Sequence, residues 1–322
     1  AALGALATRI DTISETFARE ARSERAERAS PAVPLDLQAG LERVLPAESA
    51  RFDPQTYEHG LNPRRWRVVV TGAFKRGKSS LINALAGERI LRDEGSDAEM
   101  RFPVHLRYGP AAKAYVLGDD AGWNPIALDA VLSSASGAPV LIEVPWSLPR
   151  ELVLVHTPAF DSGFALAEQI TLAAAGRASE ILALFSRQLS DRELDLYGRM
   201  NGLGKPLTFV HTIADNETPA ERRNVVELAD RYLRERAIVP QRIFVTSTTD
   251  YREALAAKRA PAGWNELGAL ATTLASHAEE HMARLDRTER EAQELARLEA
   301  RKSTQTSNGA RTSFLGRLFG RS

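Results

Sequence analysis

Residues 67–87 read RVVVTGAFKRGKSSLINALAG. Arg67-Val-Val-Val-Thr71 is a continuous apolar run, the pattern of a strand buried on both faces. It runs into Gly72-Ala-Phe-Lys-Arg-Gly77-Lys78-Ser79, which matches G-x-x-x-x-G-K-[ST]. SSLINALAG follows with the apolar spacing of a helix. Strand, glycine loop and helix in this order form the context the motif requires. Glycines let the chain turn tightly, so that successive N–H groups face an anion. Lys78 reaches the terminal phosphates, the Ser79 hydroxyl suits Mg²⁺, and the helix N-terminus adds its dipole. Gly72, Phe74, Lys75, Arg76, Gly77, Lys78, Ser79 and Ser80 are therefore the expected nucleotide-phosphate site, with Ser79 as the candidate metal ligand. The bland alternative is a glycine turn before a helix, with Lys78 merely solvated.

Outward from this loop, strand-like and helical segments alternate. Strands are expected at FPVHLRYG (from Phe102), AKAYVLG (from Ala112), VLIEVPW (from Val140), ELVLVHT (from Glu151), EILALFS (from Glu180), PLTFVHT (from Pro206) and RIFVTST (from Arg242). Helices are expected at SSLINALAG, near Ala165 to Arg177, at SDRELDLYGRM and at ERRNVVELADRYLRER. The fold class is α/β, with a mostly parallel sheet covered by helices. After Tyr251 the pattern is helical only, with a stripe at Leu267, Ala271, Leu274, Ala278, Met282 and Leu285. Near the start, Leu3, Leu6, Ile10, Ile13 and Phe17 make a second stripe. The two terminal helices have no sheet of their own, so they are expected to pack together as a small neck bundle. The boundaries follow: 1–60 N-terminal neck helices, 61–255 the P-loop domain, 256–300 the C-terminal neck helix, 301–322 a basic tail.

Composition narrows the class. The 322 residues carry 42 Lys+Arg against 42 Asp+Glu, which argues against a surface built for nucleic acid. Without cysteine the chain has no disulfide, thiolate metal site or catalytic thiol, and it fits a reducing, cytoplasmic compartment. No apolar run is long enough for a membrane-spanning helix, and AALGALATRIDTISETF lacks the basic start and apolar core of a secretory signal. There is no initiator Met, so the natural N-terminus is expected to be trimmed or missing.

The motif order resembles that of the dynamin superfamily, in particular the bacterial dynamin-like large GTPases. TGAFKRGKSSLINALAG resembles the family's first motif and RFPVHLRYG the strand after its first switch. IEVPWSLPRELVLVHTPAF resembles the hairpin leading to DTPG, LSDRELDLYGRMNGLGKPLTFVHTIAD the run to the base motif NKxD or TKxD, and RIFVTST the last base-binding strand. The resemblance covers about Arg65 to Thr249. It implies GTP or GDP as ligand with Mg²⁺ beside it, Thr212, Asp215 and Ser247 around the base, and GTPase domains that meet face to face. It also implies a homodimer or a heteromer with a dynamin-like partner, placed peripherally on the inner face of the cell membrane.

Three motifs depart from that pattern. Met100 stands near the position of the switch Thr that ligates Mg²⁺, with Ser96 the nearest hydroxyl. DTPG reads His156-Thr-Pro-Ala159, which removes a carboxylate from the Mg²⁺ shell and a glycine's freedom beside the terminal phosphate. The base motif reads Thr212-Ile213-Ala-Asp215, with an isoleucine where a lysine packs its charge on the base. Phosphoryl transfer rests on positioning and electrostatics, so these changes predict nucleotide binding with slow or absent hydrolysis. The alternative is a non-hydrolysing module that regulates an active dynamin-like partner. A P-loop kinase would need an acceptor site and lid that the pattern does not supply.

Lys75 and Arg76 either replace part of the missing metal charge or are ordinary loop residues. His277 and His281 stand at i and i+4, a zinc-compatible spacing that reads better as the flank of the bundle. His156 and His211 end strands, where they either tune binding near neutral pH or are simply satisfied. In the tail, Arg301, Lys302, Arg311, Arg317 and Arg321 meet no acid, so residues 1–300 carry a net minus five. Phe314, Leu315, Leu318 and Phe319 share one face opposite Arg317, which suits an anionic membrane interface; a disordered or partner-docking tail is the alternative.

Overall fold

The computed structural model describes residues 64–92, 102–118, 122–133, 138–162, 166–291 and 293. The N-terminal stripe, Met100 and the tail residues Phe314, Leu315, Arg317, Leu318 and Phe319 lie outside them. The chain runs β1 (Trp66–Gly72), α1 (Lys78–Ala86), β2 (Val104–Tyr108), β3 (Lys113–Leu117), β4 (Trp123–Ile126) and α2 (Leu128–Ser133). Next come β5 (Val140–Val144), β6 (Leu152–His156), α3 (Ala167–Gly176), β7 (Glu180–Phe185), α4 (Asp191–Asn201) and β8 (Leu207–His211). A short 3₁₀ turn (Ala214–Asn216) leads to α5 (Pro219–Glu235), β9 (Ile243–Val245) and α6 (Thr248–Ala256), and a last helix, α7, occupies 267–291.

The strands form one nine-stranded sheet, in the order β4-β3-β5-β2-β6-β1-β7-β8-β9. The segment β6-β1-β7-β8-β9 is parallel throughout, while β2 joins β6 antiparallel and β3 joins β5 and β4 antiparallel. This is the fold of a P-loop GTPase domain. Val68, Val69 and Val70 show why the β1 run is apolar without a break. Val68 and Val70 enter one core with Leu81, Leu154, Leu182 and Val210; Val69 enters the other with Val153, Ile181, Tyr197 and Phe209. Chain direction of travel reverses at β1, with β6 on one side and β7 on the other, and ligands bind at such a switch point beyond the strands' carboxyl ends.

Two elements had no counterpart in the sequence reading. β4 is an edge strand, WNPI, whose Pro125 cannot donate to a ladder and so hides the strand pattern; α2 follows it.

The C-terminal helix differs from a free-standing neck. Leu267, Leu270, Leu274 and Ala278 of α7 are fully buried in the same core as Val68 and Leu182. Its first turns therefore pack into the P-loop domain, with Ala271 partly buried against that core, and beyond Ala278 the stripe continues half-buried at Met282 and Leu285. His277 Nδ1 lies 2.8 Å from the carboxylate of Glu180, a buried acid at the start of β7 that also accepts from the Thr208 hydroxyl at 2.9 Å. His281 packs on Trp66 at 5.0 Å between ring centroids, and Arg64 reaches Asp286 and Glu289. These histidines fasten a helix. Among the described residues no cluster of His, Asp or Glu could hold a metal ion, and no helix is long and apolar enough to cross a membrane.

Candidate nucleotide-binding site

The loop from Gly72 to Ser79 joins the end of β1 to α1. Gly72 is dictated by crowding, because a Cβ there would stand 2.8 Å from the Leu184 carbonyl oxygen of β7. Gly77 has φ +76°, a left-handed turn that suits glycine and aims the first amides of α1 into the loop. The first turn of α1 carries no acid, so its positive end is not neutralised from within. Lys78 is fully buried, and its Nζ donates to the carbonyls of Gly72 at 3.1 Å and Ala73 at 2.9 Å. The ammonium is thus held inside the curl of the loop, within reach of an anion bound there.

Arg76 has a different job from its neighbour. Its guanidinium forks onto Glu193 at 2.8 and 3.0 Å and donates to Ser186 Oγ at 2.8 Å and Ser186 O at 3.0 Å. Glu193 is fully buried and also closes the capping box of α4 with Ser190. Arg76 is therefore committed to anchoring the loop on α4, and its charge is spent on Glu193 rather than on a missing metal. Lys75 is exposed at φ 58°, with Nζ 5.4 Å from the ring of Phe74, itself 45% exposed. Thr212 closes the far side by donating its hydroxyl to the Arg76 carbonyl at 2.9 Å and lying 3.1 Å from the Phe185 carbonyl.

At the end of β6, His156 is buried and its Nε2 lies 3.1 Å from Ser79 Oγ. Burial, and then the Lys78 ammonium, push its pKa down to about 3, so the imidazole is neutral at physiological pH. Thr157 donates its hydroxyl to the Val70 carbonyl at 3.0 Å, and Ala159 is buried. The sequence reading passed over Asp161, whose carboxylate accepts the Phe74 N–H at 2.6 Å and so occupies one of the loop's own amides. An acid two residues past the altered DTPG was the available signal. Mg²⁺ wants hard oxygen ligands, whereas the described donors at Ser79 are one hydroxyl and one neutral imidazole. These residues do not fit the ion. The loop itself fits a phosphate chain.

The base side is partly formed. Ile213 adopts φ 61°, strained for a β-branched residue, and is 39% exposed. Asp215 is exposed on the 3₁₀ turn that follows β8. Ser247, expected near the base, is fully buried; its hydroxyl accepts from the Asp250 N–H at 3.1 Å and caps α6. His211 is also buried, with Nε2 2.8 Å from Glu217 and its ring stacked on Phe185.

Fold and loop together define a P-loop domain of α/β class. The model of the Dynamin family matches residues 68–125, from β1 through β4. Among solved structures, the chain is similar to one reported as an oligomerised bacterial dynamin pair providing a mechanism for the long-range sensing and tethering of membranes. The match has 15% identity and a TM-score of 0.51, covering 84% of this chain and 47% of that one. A second structure under the same description gives 16% identity and a TM-score of 0.49, covering 87% and 49%. At these identities the likeness is one of fold, and the chain spans about half the length of both structures. Era of Aquifex aeolicus bound to GDP·AlF₄⁻ matches at 14% identity and a TM-score of 0.37, covering 61% and 57%. No curated protein sequence matches the chain.

Proposed function

We propose that the protein is a dynamin-like guanine-nucleotide-binding protein, associated with a membrane, whose GTP hydrolysis is slow or absent. The observation that carries this reading is the contact between Ser79 and His156 beside an otherwise well-formed phosphate loop. Lys78 and the loop amides hold phosphates and Asp215 accepts from the guanine edge, while Ser79 faces an imidazole where hydrolysis calls for a metal shell. The site is GTP- or GDP-binding. Mg²⁺ has no suitable donor set among the described residues. We name no catalytic residue, because the positions that would carry one are altered.

GTP binding followed by phosphate release tests this. Tight binding with negligible turnover supports it; Mg²⁺-dependent multiple turnover that disappears in Lys78→Ala would falsify it. The runner-up, a non-hydrolysing module regulating an active dynamin-like partner, is favoured by the paired assembly in the description of the similar structure. It predicts that the chain accelerates a partner's GTP hydrolysis while releasing no phosphate itself. The peripheral place on the inner face of the cell membrane rests on the basic tail, whose short apolar face needs the avidity of oligomerisation. Co-sedimentation with anionic liposomes, compared with a chain ending near Thr306, checks it. Equal pelleting of the two ends the membrane reading.

A further inference from the structure

This inference rests on the nucleotide-binding reading and deepens it. In a metal-using phosphate loop, the hydroxyl after the lysine ligates Mg²⁺, and a carboxylate nearby holds the ion's water shell. Here both arrangements are changed in the same direction. Ser79 Oγ already has a buried partner, His156 Nε2, at 3.1 Å. A hydroxyl has one proton and two lone pairs, and one of these is used in the bond with His156 Nε2, a nitrogen at the strand end where a metal-using site has a carboxylate oxygen. Thr157, the next residue, turns its hydroxyl back onto Val70. The next acid along the chain, Asp161, is engaged by the Phe74 amide. No described residue therefore presents a free hard-oxygen shell at Ser79. The positive charge available to phosphates comes from the buried Lys78 and the unopposed N-terminus of α1.

We propose that this site binds its nucleotide without a divalent cation, with the His156 imidazole paired to Ser79 at the strand end where a metal-using site presents a carboxylate. Lys78, the loop amides and the α1 dipole then supply the whole electrostatic hold on the phosphates. Nitrogen from His156 could still suit a softer ion, and the experiment includes one for that reason.

The test titrates the full chain with a fluorescent GTP analogue, with competition by unlabelled GTP. The buffers are excess EDTA and millimolar Mg²⁺, Mn²⁺ or Zn²⁺. The expected result is a Kd that changes by less than about fivefold across all four, where tenfold would equal about 1.4 kcal/mol. A Kd tightened by more than about fivefold by any of the metals overturns the proposal. His156→Asp, which returns a carboxylate to the end of β6, is expected to make binding tighten in Mg²⁺ by more than that threshold. An unchanged metal response in a folded His156→Asp protein overturns the role given to His156. Absence of nucleotide binding in every buffer removes the nucleotide-binding reading itself, which is distinguishable from binding that demands a metal.

Discussion

The loop after β1 and the loop after β6 face each other across the 3.1 Å between Ser79 and His156, yet they have been built to opposite ends. The first retains every feature an anion needs: the glycines at the crowded and left-handed positions, a buried lysine and an acid-free helix start. The second has an imidazole where an acid belongs, and an alanine where a glycine would swing. The difference teaches that holding phosphate and managing a metal are separable jobs. The first depends on backbone shape and one ammonium, both local to residues 72–79. The second depends on oxygen ligands brought together from several loops, and the end of β6 supplies an imidazole instead.

The hardest blow to the phosphate side is Arg76→Ala. It would leave Glu193 buried without its cation, at a cost of about 3–5 kcal/mol. Urea unfolding is expected to shift by that amount. A loss under about 1 kcal/mol would show that the loop stands without its anchor on α4.

Lys78→Ala comes next, with nucleotide affinity expected to fall by about 100-fold or more in calorimetry, with or without Mg²⁺. A residual affinity within tenfold of the parent would mean that amides alone hold the ligand and that the lysine is dispensable.

On the other side of the comparison, pH acts through His156 and through His105 of β2. Burial holds both near pKa 3 against an ordinary 6.5, with Lys78 adding to the shift at His156 and Arg67 at His105. The native state refuses a proton that the unfolded chain accepts below pH 6.5. Stability is therefore full above about pH 6.5 and falls as pH drops toward 3, by about 1.4 kcal/mol per unit for each histidine. Chemical unfolding at stepped pH checks the slope, and a folded His156→Asn protein should lose the half that belongs to the loop face.

The smallest expected effect belongs to Asp161. Its carboxylate competes with phosphate for the Phe74 amide, so Asp161→Asn is expected to tighten GTP by about threefold to tenfold. Weaker binding would instead make Asp161 a part of the site that the ligand needs.

The phosphate loop and most of the sheet were legible because they are local: spacing alone gives a strand, a turn and a helix. The expected strands recur with their ends trimmed, as at RIFVTST, where only Ile243–Val245 pair. The pairings across the fold were not legible. Arg76 reads as a spare cation until Glu193, 117 residues away, meets it. His277 reads as a flank or a ligand until the buried Glu180 appears beside it. Ser247 carries a base-binding expectation, and its hydroxyl caps a helix, a use equally natural for serine that the motif does not reveal. His156 was visible as a substitution; its neutrality and its hold on Ser79 depend on burial, which no single position records.

The docking of α7 has a practical side as well. Leu267, Leu270 and Leu274 sit among the residues that cover one face of the sheet. At about 2 kcal/mol for each buried leucine, they supply about 6 kcal/mol, comparable to the about 5–15 kcal/mol that separates a whole domain from its unfolded chain. A boundary placed at the last strand would cut away that cover. The smallest fragment able to fold should extend beyond Ala278, so loss of nucleotide binding in anything shorter would report a ruined core rather than a damaged site.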